Sequence, residues 1–237
     1  VYQYNLSTAW ELSTGSYVQS FSIASQEPIS TGLFFSSDGL KFYVTGTFGD
    51  DVTEFRMSTA WDISTAVVYI SKSVSAQDIA PSGVYISPNG LNMYVTGSTN
   101  DSVHQYSLST AWALFASSYV RTFSISAQET LPNAITFKPD GTKMYITGHS
   151  GDDVNQYNLT TAWNISTASY VQAFSVVTQD NGPTGIDFKP DGTRLYICGF
   201  GDDSIYSYTL TTAWDISTAS WDAPANSHFY IGTQEVE

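Results

Sequence analysis

Paired acids recur through this chain at a near-constant interval. Asp50-Asp51, Asn100-Asp101, Asp152-Asp153 and Asp202-Asp203 each stand in a short loop between two β-type runs. A second set, Gln26-Glu27, Gln77-Asp78, Gln128-Glu129 and Gln179-Asp180, keeps the same interval. Calcium takes about six to eight oxygen ligands, and carboxylates gathered on one side of a fold supply them. Asp50, Asp51, Asp101, Asp152, Asp153, Asp202 and Asp203 are therefore a candidate calcium-binding or partner-binding acidic face. No segment matches a known calcium loop, and Asp and Asn also serve tight turns by bonding their own backbone. The turn role is the expected one, and no cofactor is required.

Five tryptophans, Trp10, Trp61, Trp112, Trp163 and Trp214, follow one another at intervals of 51 residues, each in a Thr-Ala-Trp triplet. A ring of exposed indoles would stack on sugar faces. The competing role is a structural wedge between neighbouring units, which suits the large area an indole buries, and packing is the expectation.

Catalytic sets are missing. His104, His149 and His228 stand at non-equivalent positions and match no metal-ligand spacing. There is no nucleophile elbow and no Gly-rich phosphate loop. The single cysteine, Cys198, occupies the slot of Thr45, Thr96 and Thr147 and reads as a buried free thiol. Asp187 is the one acid in an innermost strand, expected to point into or beside a central channel and to be solvated there. Glycosylation sequons occur at Asn5, Asn100, Asn158 and Asn164, and they matter only in a host that exports and glycosylates the chain.

The elements that carry these residues come from one copied unit. A period near 50 marks a solenoid or a propeller. From Pro132, the runs Ala134-Ile-Thr-Phe-Lys138, Lys143-Met-Tyr-Ile-Thr147, Val154-Asn-Gln-Tyr-Asn-Leu159 and Ser169-Tyr-Val-Gln-Ala-Phe-Ser-Val176 read as four strands, A to D. Pro139-Asp-Gly141 turns A into B, the Asp pair turns B into C, and the Trp triplet lies in a longer C–D connection with one helical turn. Four short antiparallel strands per unit make a propeller blade.

The count of units is uneven. Strand C appears five times and the A–B pair four times. The expected fold is an all-β propeller of about five blades. Its last blade would join the N-terminal C–D pair to the C-terminal run His228-Phe-Tyr-Ile231, which also removes free edges. Five full copies would need 255 residues, 18 more than the chain has. Four blades plus an extra N-terminal hairpin is the alternative, and a strand from a neighbouring chain is a third. Residues 1–237 are read as one domain. It divides into a half-blade at 1–28, repeats at 29–79, 80–130, 131–181 and 182–224, and a closing or exchanged tail at 225–237.

Twenty-two acids face eight Lys and Arg, for a net charge of −14. Nucleic acid is excluded as a partner because phosphate binding needs a basic stripe. No run approaches a membrane span, so membrane insertion is not expected. Eleven acids fall in the B–C and D–A loops, and five bases, Lys41, Lys138, Lys143, Lys189 and Arg194, flank the opposite A–B turns. Such ends suit head-to-tail self-association.

The run Phe137-Lys-Pro-Asp-Gly-Thr-Lys-Met-Tyr-Ile-Thr-Gly148 resembles the Pro-Asp-Gly-x-x-Leu-Tyr-Val signature of YVTN-type bacterial surface propellers. The unit from Asp153 to Trp163, with Ser169 to Ser175, is similar to tandem repeats of phage tail or virion proteins and bacterial surface proteins. The resemblance covers nearly all of the chain except the last dozen residues. It implies an extracellular, cell-surface or virion setting and contacts with other virion or surface proteins, not a reaction. The expectation is a non-enzymatic structural or binding propeller, a subunit of a phage tail fibre or surface filament. A carbohydrate-binding lectin that takes glycans is the alternative, and a lactonase-like hydrolase with a metal in the channel is the least favoured reading.

Overall fold

The structure is a computed structural model and describes residues 1–222 and 228–231. The chain opens with an antiparallel pair, β1 (Tyr2–Leu6) and β2 (Gly15–Ser20). Four blades follow. Blade 1 is β3 (Ser30–Phe35), β4 (Lys41–Gly46), β5 (Asp51–Met57) and β6 (Ala66–Ser73). Blade 2 is β7 (Pro81–Ile86), β8 (Asn92–Gly97), β9 (Ser102–Leu108) and β10 (Ser117–Ser124). Blade 3 is β11 (Pro132–Phe137), β12 (Lys143–Gly148), β13 (Asp153–Leu159) and β14 (Ala168–Ser175). Blade 4 is β15 (Pro183–Phe188), β16 (Arg194–Gly199), β17 (Ser204–Leu210) and the short β18 (Ala219–Trp221). Each blade is an antiparallel meander. The C–D connection carries one 3₁₀ turn, such as Ile63–Thr65 or Ile165–Thr167. An Asp62 or Asn164 side chain caps its N-terminus by accepting from the backbone N–H two residues on.

The core is a series of slabs between blades. Tyr43, Val84, Ile86 and Met93 fill the seam of blades 1 and 2; Tyr94, Phe137, Met144 and Tyr157 fill the next. Tyr145, Phe188, Leu195 and Tyr208 fill the third. Strict alternation along each strand supplies one apolar residue to each neighbour, so the blades are buried on both faces.

The molecule therefore has four blades, and the expected fifth, mixed blade does not form among the described residues. The N-terminal hairpin remains two-stranded. The C-terminal run, β19 (His228–Tyr230), pairs instead with β17, in the register Ser204↔Tyr230 to Tyr206↔His228. The reason lies in blade 4. Its outer strand stops after three residues at Trp221, where the others run for eight. The first half of β17 is then left without an outer neighbour, and β19 takes that place. Residues 223–227 and 232–237 of the expected closing tail lie outside the described residues.

The hairpin sits between blade 4 and blade 1. On one side the Tyr196 hydroxyl donates to the Trp10 carbonyl at 2.8 Å, and Arg194 pairs with Glu11 at 3.0 Å. Phe229 meets Tyr4 edge-on at 5.0 Å. On the other side Gln3 Nε2 donates to the Trp61 carbonyl, and Gln19 Nε2 to Asp62, each at 2.8 Å. Phe21 and Ile23 pack on Phe42 and Phe55. The ring is thus closed around its outer part. At the centre β3 packs on β7, β7 on β11 and β11 on β15, whereas β15 and β3 are not packed together in this way.

One joint recurs at the seams between full blades. All five ladder tryptophans have left-handed backbone, with φ between 61° and 67°, a conformation that costs a bulky residue about 1–2 kcal/mol. The bend is held by two backbone bonds. The Trp N–H donates to the carbonyl of the A–B turn glycine of its own blade, as Trp61 to Gly39 at 2.8 Å and Trp163 to Gly141 at 3.0 Å. The Trp carbonyl accepts a tyrosine hydroxyl from the preceding blade: Tyr43 to Trp112, Tyr94 to Trp163 and Tyr145 to Trp214, each at 2.6 Å. The indole lies flat on the turn glycine, which itself needs positive φ (74° at Gly141). A methyl group on Gly141 would stand 2.4 Å from the Trp163 ring. Gly141→Ala is expected to cost about 2 kcal/mol or more, from left-handed backbone and overpacking together. Urea denaturation checks this, and an unchanged midpoint would show that the Trp–Gly contact bears no strain.

Candidate functional site

The four inner strands line a central cavity of about 660 Å³, within the size range of small-molecule sites. The repeat decides what faces it. Phe34, Tyr85, Thr136 and Asp187 occupy the same place in β3, β7, β11 and β15, and all four line the cavity. One level of the channel therefore carries two aromatic rings, two hydroxyls and one carboxyl. Phe34 and Tyr85 lie 4.9 Å apart, and Tyr85 is backed by Phe137 at 5.1 Å. Gly32, Gly83, Ala134 and Gly185 lie two residues earlier on the same strands, where small residues keep the bore open. Trp10 and Trp61 line the side where the inner strands do not meet.

Asp187 is exposed to water along the bore yet ringed by protein on all sides. That enclosure raises its carboxyl to about 6, against the opposing effect of the hydrogen bond it accepts from the Phe188 N–H at 2.8 Å. Tyr85 is pushed well above the usual phenol range, by burial first and by Asp187 second, so its hydroxyl keeps its proton. Cys198 also faces the cavity, and burial raises its thiol. Among the described residues no Lys or Arg lines the cavity.

The candidate acidic face is built differently from a metal site. Glu27, Asp78, Glu129 and Asp180 are almost fully buried. Each clasps the B–C turn of the following unit. Glu129 accepts from the N–H groups of Leu131, Ser150 and Gly151, and Asp78 from those of Ala80, Thr99 and Asn100. Glu27 does the same with Ile29, Phe48 and Gly49, and Asp180 with Gly182 and Gly201. The clasp explains the glycine that ends each B strand: a methyl group on Gly46 or Gly199 would meet the carboxylate at 2.1 or 2.2 Å. In the Asp pairs the constant member is Asp50, Asp101, Asp152 and Asp203. All have φ between 46° and 54°, and their carbonyls accept the N–H of Val74, Ile125, Val176 and Ile231. Asp tolerates that backbone better than most residues. Asp51 and Asp153 open strands β5 and β13, and Asp202 accepts from the Tyr206 hydroxyl. Among the described residues no group of three or more His, Cys, Asp or Glu side chains is gathered as a metal site.

The tryptophans do not form a uniform exposed ring. Trp214 is 8% exposed, Trp112 and Trp163 are half-buried, and Trp10 and Trp61 reach 38% and 52%. The sequons are scattered: Asn5 and Asn158 lie on strands, Asn100 donates to the Gln77 carbonyl, and Asn164 caps a 3₁₀ turn. His104 is buried near Asp78, where loss of solvation lowers its pKa, and His149 stands in the loop beside Asp152. The clasp and the left-handed tryptophan were not read from the sequence. The only signal for the clasp was the constant interval between each Gln-acid pair and the glycine that follows.

No family model matches the chain, and no curated protein does. Solved structures do match. A 6-phosphogluconolactonase candidate from Bacteroides uniformis has a TM-score of 0.55 at 16% identity, over 92% of this chain and 62% of that one. The periplasmic gluconolactonase of Pseudomonas aeruginosa has 0.53 at 14%, over 84% and 53%. The β-propeller domain of a Myceliophteria thermophila protein has 0.50 at 12%, over 77% and 54%. The chain is a β-propeller in fold, and it spans about half to three-fifths of the length of these structures. At such identity the likeness is one of fold alone. The non-enzymatic expectation is corrected to this extent: solved propellers of this architecture include proteins with lactonase names. No helix of the described residues is long and apolar enough to cross a membrane, which says nothing of β-barrels.

Asp51, Asp153 and Asp187 hold protons more tightly in the folded chain than in the unfolded one, where Asp titrates near 3.9, and two of them are raised furthest. Asp187 is one. Asp153 is the other, raised to about 6 by burial first and then by the Glu129 charge. For a raised carboxyl the stability is fully present below the unfolded value and is lost as pH rises through the folded one. Both groups therefore withdraw stability between about pH 4 and pH 6. The counterparts of Asp153 in blades 2 and 4 are Ser102 and Ser204. Asp153→Ser is expected to raise the thermal midpoint at pH 7 and to leave it nearly unchanged at pH 4. Calorimetry at both pH values decides, and an equal shift at the two would remove the charge explanation.

Proposed function

We propose that the chain is a lactonase-like hydrolase whose reaction runs in the central channel at Asp187. The observation that carries this reading is the single carboxylate at the channel level shared with Tyr85 and Thr136, raised to about 6. The lactonase names among the structural neighbours support it.

The chemistry follows from that level. Above pH 6 the Asp187 carboxylate accepts a proton from water as the water oxygen adds to the lactone carbonyl carbon. The C=O electron pair moves to oxygen, and the Tyr85 and Thr136 hydroxyls are the donors for that oxyanion. Collapse re-forms the C=O bond and breaks the bond to the ring oxygen. The departing alkoxide takes the proton from Asp187 and gives an open-chain hydroxy acid. Phe34 and Tyr85 offer apolar faces for the sugar ring. A neutral sugar lactone fits better than a phosphorylated one, because the lining has no Lys or Arg to meet a phosphate. An exported setting belongs to the same reading and draws on the periplasmic neighbour.

The test is hydrolysis of glucono-δ-lactone, corrected for the spontaneous rate. The expected kcat/KM rises with pH through about 6 and levels off, as a base that must be ionised requires. Asp187→Asn lowers it by about 10²-fold or more. A rate no faster than background, or an Asp187→Asn variant with full activity, ends the proposal.

A further inference from the structure

The seam between the hairpin and blade 1 differs from the other seams in three ways, and all three point to the same missing contact. The first is the inner edge of β1. The homologous strands β5, β9, β13 and β17 each pair on that side with a B strand, for example Val44↔Thr53, Tyr43↔Glu54 and Phe42↔Phe55. Moved by one repeat, those places on β1 are Tyr2, Gln3 and Tyr4, and among the described residues β1 pairs with β2 alone. The second is Trp10. It keeps the left-handed backbone, φ 67°, but no turn glycine carbonyl accepts its N–H among the described residues, as Gly39, Gly90, Gly141 and Gly192 do for the other four. The third is the Trp61 carbonyl. It accepts from Gln3, as the Trp163 carbonyl does from Gln105, but no tyrosine hydroxyl reaches it among the described residues, whereas the carbonyls of Trp112, Trp163, Trp214 and Trp10 each accept a B-strand tyrosine hydroxyl.

The side chains at the seam agree. Leu33 is 46% exposed, while of its counterparts Val84 and Ile135 are 5% exposed and Ile186 is half-buried. A cavity of about 270 Å³ lies here, lined by Val1, Tyr2, Ile23, Leu33 and Val44.

We infer that this seam is a binding site for a β-hairpin of the repeat's own A–B type. The four blades state what such a hairpin must carry. A Pro-Asp-Gly or Ser-Asp-Gly turn would place a left-handed glycine under the Trp10 indole and its carbonyl at the Trp10 N–H. A tyrosine three residues into the second strand would reach the Trp61 carbonyl. The second strand would add to β1 by backbone pairing, the common mode of strand addition at an open edge. The first strand would cover Leu33. This inference stands apart from the hydrolase reading, because it is read by binding and not by turnover.

The probe is a synthetic peptide of residues 131–148, LPNAITFKPDGTKMYITG, added to the full chain. Hydrogen exchange followed by mass spectrometry is expected to show slower exchange across β1 and at Trp10, with no change in β5, β9 or β13. Gly141→Val in the peptide should abolish the effect, and Tyr145→Phe should weaken binding roughly five-fold, the loss of one hydrogen bond. No protection of β1 at millimolar peptide would overturn the inference. So would protection that survives Gly141→Val. A third overturning result is a concentration-dependent dimer, seen by sedimentation, in which β1 is already protected without peptide. That result would give the edge to a second copy.

Discussion

The left-handed tryptophan is the constraint on which the ring depends. A backbone bend at φ near 64° turns strand C toward strand D in every unit, and an indole is an unfavourable residue to place there. At Trp112, Trp163 and Trp214 three partners fix it at once: the turn glycine beneath the ring, that glycine's carbonyl at the N–H, and the neighbour's tyrosine at the carbonyl. The bend thereby joins two levels of structure. Within a blade it locks the A–B turn to the C–D connection. Between blades it fixes the angle, because Tyr43, Tyr94 and Tyr145 are buried and reach the next unit from one defined place.

The opposite face is held by another device with the same logic. A buried carboxylate at the end of strand D collects the free N–H groups of the B–C turn, so the acids that crowd that face are largely occupied. Backbone N–H groups in tight turns are strong donors that must be met when buried. The acidity of the chain is in part the cost of closing such turns with side chains. The channel is where these demands relax. Its walls are small or apolar, and the one carboxyl there accepts only from its neighbour's N–H.

Much of the fold was legible because the repeat is long and regular. Strand order, both turn sets and the channel position of Asp187 follow from period-two alternation and from the identity of turn residues. Blade count was less so. It turned on β18, whose shortness at Trp221 left β17 open to β19, and a break in register does not say which edge a tail will find. The tryptophan bend was hidden for a different reason. Constancy of a residue within a repeat marks a constraint, but aromatic size suggested packing where the backbone angle is equally at stake. The acid clasp was hidden because its bonds span some 20 residues, and short-range turn chemistry accounts for the same Asp and Glu equally well.

The joint between units also bears on how such a chain changes over generations. Each unit carries a tyrosine that reaches forward and a tryptophan that is reached from behind, so any unit offers the same two halves to its neighbours. A recombination event that adds or deletes one whole unit creates no mismatched seam, and only the closure between first and last units must adjust. The number of blades can then drift while the blade itself stays fixed, as expected where stability resides in nearest-neighbour interfaces.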